Sequence, residues 1–412
     1  MSETPQRVVI IGAGQAGGQT AYSLRQGGFA GDITLIGDEP APPYQRPPLS
    51  KAYFKGEMDA ERLFLKPLDY YAEHRIELVT GEAATAIDLA AKQVSLAGGR
   101  MLSWDKLVIA TGARPRKLTL PGADLNGVTE LRTLADVDRL KKLAKPGAGM
   151  VVIGAGYIGL EAAAVGVQLG LKVTVLEAMQ QVLSRVAGPE IGAFYTRVHR
   201  DAGTDVRLGA RIAGFEGIGS VTGVRLGEGE ILPADLVLVG VGVLPDIEIA
   251  QAAGLVCGNG IVVDEAMRTS HPDVFAVGDI AWRPLVHYGR EGRLESVHNA
   301  IEGGKLAAAA ILGANPPPLE APWFWSDQFD LKLQTAGLWT GADERVMRGD
   351  PADRAFAVFY LKEGRLIAVD AVNAAPEFIV GKKLVAAKAK VAPGELADKS
   401  ISMKDIGARA SS

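Results

Sequence analysis

Apolar residues in this chain come in short, unbroken blocks: Val8-Val9-Ile10-Ile11, then Ile33-Thr34-Leu35-Ile36. Continuous runs of that length bounded by glycine are the pattern of strands buried on both faces, as in a parallel sheet. Between them a mixed stretch up to Gly27 reads as a helix, so the chain opens strand, glycine turn, helix, strand. The same order returns with Met150-Val151-Val152-Ile153, a helical pattern behind Gly159, and Val173-Thr174-Val175-Leu176. Alternation of this kind predicts α/β architecture with parallel sheets.

The intervening segments are less regular. Pro40 to Lys51 is polar and proline-rich, and predicts an ordered loop, since proline fixes φ and removes backbone donors. Pro67 to His74 reads as a helix and Ile76 to Val79 as a strand. Val94-Ser95-Leu96 and Met101 to Trp104 read as a hairpin about Gly98-Gly99, and Lys106 to Gly112 as a buried strand running into a turn. Thr119 to Asn126 marks a crossing into a second unit, which extends to about Gly242. Its last strand, Asp235 to Gly242, mirrors the Val108 strand and its glycine turn. Val274 to Asp279 then reads as a further strand of the first unit, so one dinucleotide domain is inserted in the other. An alanine-rich helix, Asn299 to Leu312, precedes the linker Pro316-Pro317-Pro318. A smaller α+β domain follows, with strands at Ala355 to Leu361 and Arg365 to Val372, and the last dozen residues read as a loose tail.

Composition narrows the class. A chain of 412 residues is longer than one core usually serves. The net charge of −4 gives no basic field for nucleic acid. No apolar run reaches the length of a membrane span, and Met1 to Gln6 lacks a charged-then-apolar leader, so a cytoplasmic location is expected. The single cysteine, Cys257, excludes a dithiol relay within the chain and iron–sulfur ligation by it. The histidines have no ligand spacing, and no metal site is expected.

Both apolar blocks run into G-x-G-x-x-G, as Gly12-Ala13-Gly14-Gln15-Ala16-Gly17 and Gly154-Ala155-Gly156-Tyr157-Ile158-Gly159. In such a motif the first glycine makes the turn, the second admits a pyrophosphate, and the third lets helix pack on strand. The helix N-terminus then offers free N–H groups and a positive dipole end. Each copy has an acid after the next strand, Asp38 in the first and Glu177 in the second, placed to accept from a ribose 2′-OH. Glu177 would repel a 2′-phosphate, and no base follows it before Arg185, which argues for NADH over NADPH. Two dinucleotides in one chain point to electron transfer between them.

Taken with further motifs, these fingerprints make the chain resemble the pyridine-nucleotide-dependent flavoprotein reductases that pass electrons to small [2Fe–2S] ferredoxins. The motifs are Arg46-Pro47-Pro48-Leu49-Ser50-Lys51, Ala110-Thr111-Gly112, Gly156 to Glu161, Ala276 to Asp279, Glu295-Ser296-Val297 and Trp323 to Gln328. The likeness spans Val8 to about Asp405, and is strongest to the branch serving bacterial cytochrome P450 systems. It implies two Rossmann-like domains in the glutathione-reductase arrangement. Residues 1–115 with 243–318 would bind FAD, 116–242 would bind NADH, and 319–412 would form the C-terminal reductase domain.

The same resemblance implies residue roles. FAD would take Gly12, Gly14, Ala16 and Gly17 at its pyrophosphate and Asp38 at its adenosine ribose. Arg46, Ala84, Arg132, Thr111, Gly112, Asp279 and Val297 would complete its pocket. NADH would take Gly154, Gly156, Tyr157, Ile158, Gly159, Glu177 and Gly242. Lys51 would tune the flavin near N5, Glu161, on the first turn of its helix, would pair with that lysine, and Trp325 would wall the flavin. Trp323 reads equally as core. His298 is expected to be structural, because hydride transfer needs no base.

The implied reaction is hydride transfer from NADH to FAD, then single-electron delivery to the ferredoxin and on to a P450 or ring-hydroxylating oxygenase. Two other readings fit the fingerprints. An NADH oxidase is weakened by the lack of a redox cysteine after Asp38. A redox-sensing interaction protein like apoptosis-inducing factor is disfavoured by the lack of a targeting segment.

Overall fold

A five-stranded parallel sheet forms around the first glycine motif, in the order Val274–Ala276, Lys106–Ile109, Arg7–Ile11, Asp32–Gly37, Ile76–Thr80. The computed structural model describes residues 6–410. Apart from the edge strand Ile76–Thr80, its strands are buried along nearly their whole length, as the unbroken apolar blocks require. Two helices lie against each other beside the sheet, Gln15–Gln26 and Val297–Leu312. They approach closely because Gly304 has no side chain: a β-carbon there would stand 3.1 Å from Ala16 O. An antiparallel trio, Ala84–Asp88, Gln93–Leu96 and Met101–Ser103, contains the expected hairpin.

The second motif repeats this plan. Its parallel sheet runs Asp205–Leu208, Lys172–Glu177, Gly149–Ile153, Leu236–Val239, Val128–Thr129. A second antiparallel trio follows, Ile212–Ile218, Ser220–Leu226 and Ile231–Pro233. The C-terminal region is a five-stranded antiparallel sheet, ordered Trp323–Gln328, Leu331–Gly337, Arg365–Val372, Ala355–Lys362, Glu344–Asp350. Helix Ala375–Ala386 packs Leu384 and Val385 into the core beneath that sheet.

Two compact units account for the chain. One holds residues 1–45, 60–114 and 244–320; the other holds 46–59, 115–243 and 321–412. Residues 46–59 therefore belong with the second motif and the C-terminal sheet, although the sequence brackets them with the first strand.

Two expectations need correction. The proline-rich stretch is not loop throughout: Pro47–Ser50 forms a 3-10 turn and Ala52–Lys55 a helical turn. Pro47 and Pro48 occupy the first positions of the turn, where a missing N–H costs nothing. The chain end is not a loose tail either. Met403–Ala410 is a helix whose Met403 and Ile406 are buried in the C-terminal core. Apolar residues three apart give it the inward stripe. Ser411 and Ser412, like residues 1–5, lie outside the described residues.

Candidate functional site

The two glycine motifs have matching geometry. Gly12 has φ +114° and Gly154 φ +97°, a region closed to most L-residues. A β-carbon on Gly12 would lie 2.1 Å from Ala110 O, and on Gly154 2.4 Å from Gly240 O. Gly17 and Gly159 face the turn itself, where a β-carbon would stand 1.9 Å from Gly12 O and 2.1 Å from Gly154 O. Gly14 and Gly156 differ, since a β-carbon on either would meet nothing within 4 Å. Each caps its helix without a side-chain partner, so the first N–H groups of Gln15–Gln26 and Tyr157–Gln168 are left for a ligand. Open space beside a bare backbone at a helix N-terminus fits a pyrophosphate.

In the first unit several implied FAD residues converge on this N-terminus. Gly278 has φ +81°, and its α-carbon approaches Ala16 so closely that a β-carbon would lie 2.9 Å from Ala16 Cβ. Asp279 follows in the 3-10 turn Gly278–Ile280. Arg293 Nη1 donates to Asp279 O at 2.7 Å, and Asn299 Nδ2 donates to Gly278 O at 3.1 Å. Asn299 is itself held by Arg283 and lies two residues past Val297, the first residue of its helix. Thr111 and Gly112 continue the neighbouring strand: Thr111 Oγ1 donates to Asp246 O, and Asp246 N to Gly112 O. Asp38 is exposed after strand Asp32–Gly37. Glu82 N donates to Gly37 O at 3.1 Å, which brings the chain leading to Ala84 alongside the Asp38 turn.

In the second unit, Glu177 closes strand Lys172–Glu177. Its Oε2 accepts from Ala155 N at 2.7 Å and its Oε1 from Met179 N at 2.9 Å. The carboxylate is thus tied to the glycine loop and keeps lone pairs for a ribose hydroxyl. A groove of about 560 Å³ borders this strand end, lined by Gln180, Gln181, Thr196, Arg197, Arg200 and Leu208. Gly242 has φ +97°, accepts from Arg116 N, and lies against the Arg185 guanidinium. Tyr157 stacks on Phe324 with ring centroids 4.4 Å apart, while Ile158 is largely exposed. Arg46 and Arg132 meet: Arg46 Nη1 donates to Arg132 O, and Arg132 N is held by Asp136.

Lys51 and Glu161 pair as expected, with Nζ 2.7 Å from Oε2. Glu161 is the fifth residue of Tyr157–Gln168, hence on the second turn of the helix rather than the first. It is 3% exposed. Burial raises its proton affinity, opposed by the Lys51 ammonium and by hydrogen bonds from Ser326 and Ser50. Ser50 Oγ donates to Oε2 and Ser326 Oγ to Oε1.

Strand Trp323–Gln328 alternates between two faces. Ser326 and Phe324 share the face of Glu161 and Tyr157. Trp325 and Trp323 share the other, with centroids 5.6 Å apart. Trp323 packs on the C-terminal core and against Phe378, with Lys382 over its ring. Among the residues not anticipated, Ser50, Ser326, Gln328 and His199 join the Glu161 cluster and Asn299 the Gly278 turn. Ser50 and Ser326 lay inside recognised motifs, but His199 has no linear signal at all. His298 pairs with Glu320, and burial raises the half-buried Cys257 thiol, making it less reactive. Among the described residues, no helix is long and apolar enough to cross a membrane.

The chain is also similar to known proteins over nearly its whole length. Residues 6–304 match the family model described as pyridine nucleotide-disulphide oxidoreductase, and residues 323–407 match that described as reductase C-terminal. The probable ferredoxin reductase CtmF of Castellaniella defragrans is 48% identical over 95% of this chain and 97% of its own. Putidaredoxin reductase CamA of Pseudomonas putida is 44% identical over 98% of this chain and 97% of its own. The crystal structure of the covalent putidaredoxin reductase–putidaredoxin complex superposes with TM-score 0.97 at 43% identity, covering 99% of both chains.

Proposed function

Given that the chain belongs to the pyridine nucleotide-disulphide oxidoreductase family, we propose that it is an NADH-dependent ferredoxin reductase. The observation that carries this reading is the pair of glycine loops, each open at its middle glycine and bare at the following helix N-terminus. We assign FAD to residues 1–115 with 243–318, NADH to 116–242 and the reductase domain to 319–412. FAD, when bound, would accept one hydride, an electron pair with its proton, from nicotinamide and release the two electrons singly, as a [2Fe–2S] acceptor requires.

This chain's own residues bind and orient. Gly12, Gly14, Ala16 and Gly17 receive the FAD pyrophosphate, with Asp38 assigned to its ribose and Asp279 and Val297 to its far end. Arg46, Ala84, Thr111, Gly112 and Arg132 complete the set. Gly154, Gly156, Tyr157, Ile158, Gly159 and Gly242 receive NADH, and Glu177 accepts from its adenosine ribose. Glu177 also supports NADH over NADPH, because a 2′-phosphate beside a carboxylate held by Ala155 N is repelled. Lys51 is assigned to hold positive charge at the flavin, with Glu161 fixing its ammonium, and Trp325 to shield the ring. None of these three residues moves a proton in the hydride step. The acceptor is a [2Fe–2S] ferredoxin, serving a P450 or a ring-hydroxylating oxygenase.

Purified protein should carry one FAD per chain, identified after release of its yellow chromophore. Mixing with NADH in stopped flow should bleach the flavin far faster than mixing with NADPH. A protein that binds no flavin on reconstitution sinks the reading.

A further inference from the structure

The hydrogen bonds on Glu161 do not end at Ser326. Gln328 Nε2 donates to Ser326 Oγ at 3.1 Å, and His199 Nε2 lies 2.9 Å from Gln328 Oε1. Ser326, Gln328 and His199 are each 1% exposed or less. The file thus crosses from helix Pro189–Asp201 through strand Trp323–Gln328 to helix Tyr157–Gln168, all in one unit. It has two self-consistent polarities. In one, His199 Nε2–H donates to Gln328, Gln328 to Ser326, and Ser326 to an ionised Glu161. In the other, a protonated Glu161 donates outward, every link reverses, and His199 must carry its proton on Nδ1.

The far end decides between them. His199 Nδ1 is buried without a hydrogen-bond partner. An orphaned N–H there is costlier and rarer than an orphaned lone pair. Burial also holds His199 neutral, with its pKa lowered to about 4. The first polarity is therefore favoured. We propose that His199, acting through Gln328 and Ser326, is a positioning residue that keeps Glu161 ionised and aimed at Lys51. The proposal deepens the reading above, since it rests on the Lys51–Glu161 pair serving the flavin. The titratable neighbours facing Glu161 are Lys51 from the 46–59 segment, Tyr157 from its own helix and Tyr195 from the helix of His199. Both tyrosines are held protonated by burial, so they do not compete for this proton.

The test is an infrared pH titration of the FAD-loaded protein, following the carbonyl band of protonated Glu161. Asp370 is a second buried carboxyl, so the band is assigned by its loss in Glu161→Gln. Ser326→Ala should raise the midpoint by about one pH unit, a tenfold gain in proton affinity, as expected for losing a hydrogen bond to a charged group. His199→Leu, which acts through two neutral links, should raise it in the same direction by less. His199→Gln keeps a donor at the same reach and should return it to the parent value. A midpoint unmoved by both removals overturns the proposal, even if melting temperature falls. The flavin midpoint potential separates the two levels of the account. If Lys51→Met shifts the potential and His199→Leu does not, the file does not serve the cofactor and the proposal fails while the functional reading stands. If Lys51→Met leaves the potential unchanged, the role of the pair itself fails, and the file's role with it.

Discussion

A β-carbon on Gly17 would lie 1.9 Å from Gly12 O, while one on Gly14 would touch nothing within 4 Å. The two glycines of one motif thus differ: packing requires Gly17, while Gly14 is assigned to ligand access. Gly17→Ala should cost about 3 kcal/mol or more, seen as a fall in melting temperature of the flavin-free protein. Gly14→Ala should leave that temperature within about 1 kcal/mol of the parent yet weaken FAD binding at least about tenfold. Equal destabilisation by both would remove the distinction. Lys51→Met should destabilise by about 3–5 kcal/mol, because Glu161 loses its cation while buried. The sign of its pH dependence follows from the raised proton affinity of Glu161. The folded state holds this proton more tightly than the unfolded state, so stability is retained at low pH and lost as pH rises. Removing Lys51 also removes what holds that affinity down, so the gap in melting temperature between variant and parent should widen as pH rises above the ordinary carboxylate range. At this scale the glycines and Glu177 were legible because their spacing is fixed by one local turn. His199 was not, because its connection to Glu161 exists only after three separate elements have packed.

Elements were legible where a single local rule governs them. The apolar blocks at Val8, Ile33, Met150 and Val173 became central parallel strands, and the residues from Asn299 to Leu312 became helix. The chain end obeyed a longer-range rule. Arg348, 5% exposed, donates from Nη1 to Asp398 O at 2.7 Å and from Nη2 to Ile401 O at 2.8 Å, and it pairs with Glu377. One buried guanidinium from strand Glu344–Asp350 thus gathers the carbonyls just before helix Met403–Ala410. Nothing near residue 400 announces this, so composition alone suggested a tail. Arg348→Leu should lower stability by about 3 kcal/mol or more, since it orphans those carbonyls and Glu377. Ile406→Ala should cost about 2–4 kcal/mol, whereas a truly loose tail would tolerate both. The C-terminal sheet also carries a pH-sensitive element. Asp370, on strand Arg365–Val372, is 2% exposed and accepts from Tyr360 Oη at 2.7 Å. Burial is the main cause that raises its pKa to about 7 from 3.8. The folded state therefore binds the extra proton between those values, and stability should decline as pH rises through that window and level off above it. In Asp370→Asn this decline should vanish, read as a flatter plot of urea midpoint against pH.

At the scale of the whole molecule, two copies of one strand–helix–strand plan produced parallel sheets with the same central logic. The glycine-bearing strand lies between the strand that leads to Asp38 or ends at Glu177 and a strand that leads to the carbonyl, of Ala110 or Gly240, under the first glycine. That duplication was readable because each copy is nearly contiguous in sequence. The grouping of residues 46–59 with the second motif was not, since it depends on Lys51, Ser50 and Arg46 finding partners far along the chain. On the proposed reading, the second copy also sets nucleotide choice. The sequence has no base near Glu177, but folding brings Arg197 and Arg200 into the groove beside its strand. Glu177→Gln should therefore reduce the NADH to NADPH ratio of kcat/KM by at least about tenfold, as repulsion is removed and those bases remain. An unchanged ratio would assign selectivity elsewhere. The most direct test of the account is NADH-dependent reduction of cytochrome c by the purified flavoprotein, measured with and without a [2Fe–2S] ferredoxin. The account predicts rapid flavin reduction by NADH alone and cytochrome c turnover that rises in proportion to added ferredoxin. Equal turnover without ferredoxin, with oxygen consumed instead, would contradict it.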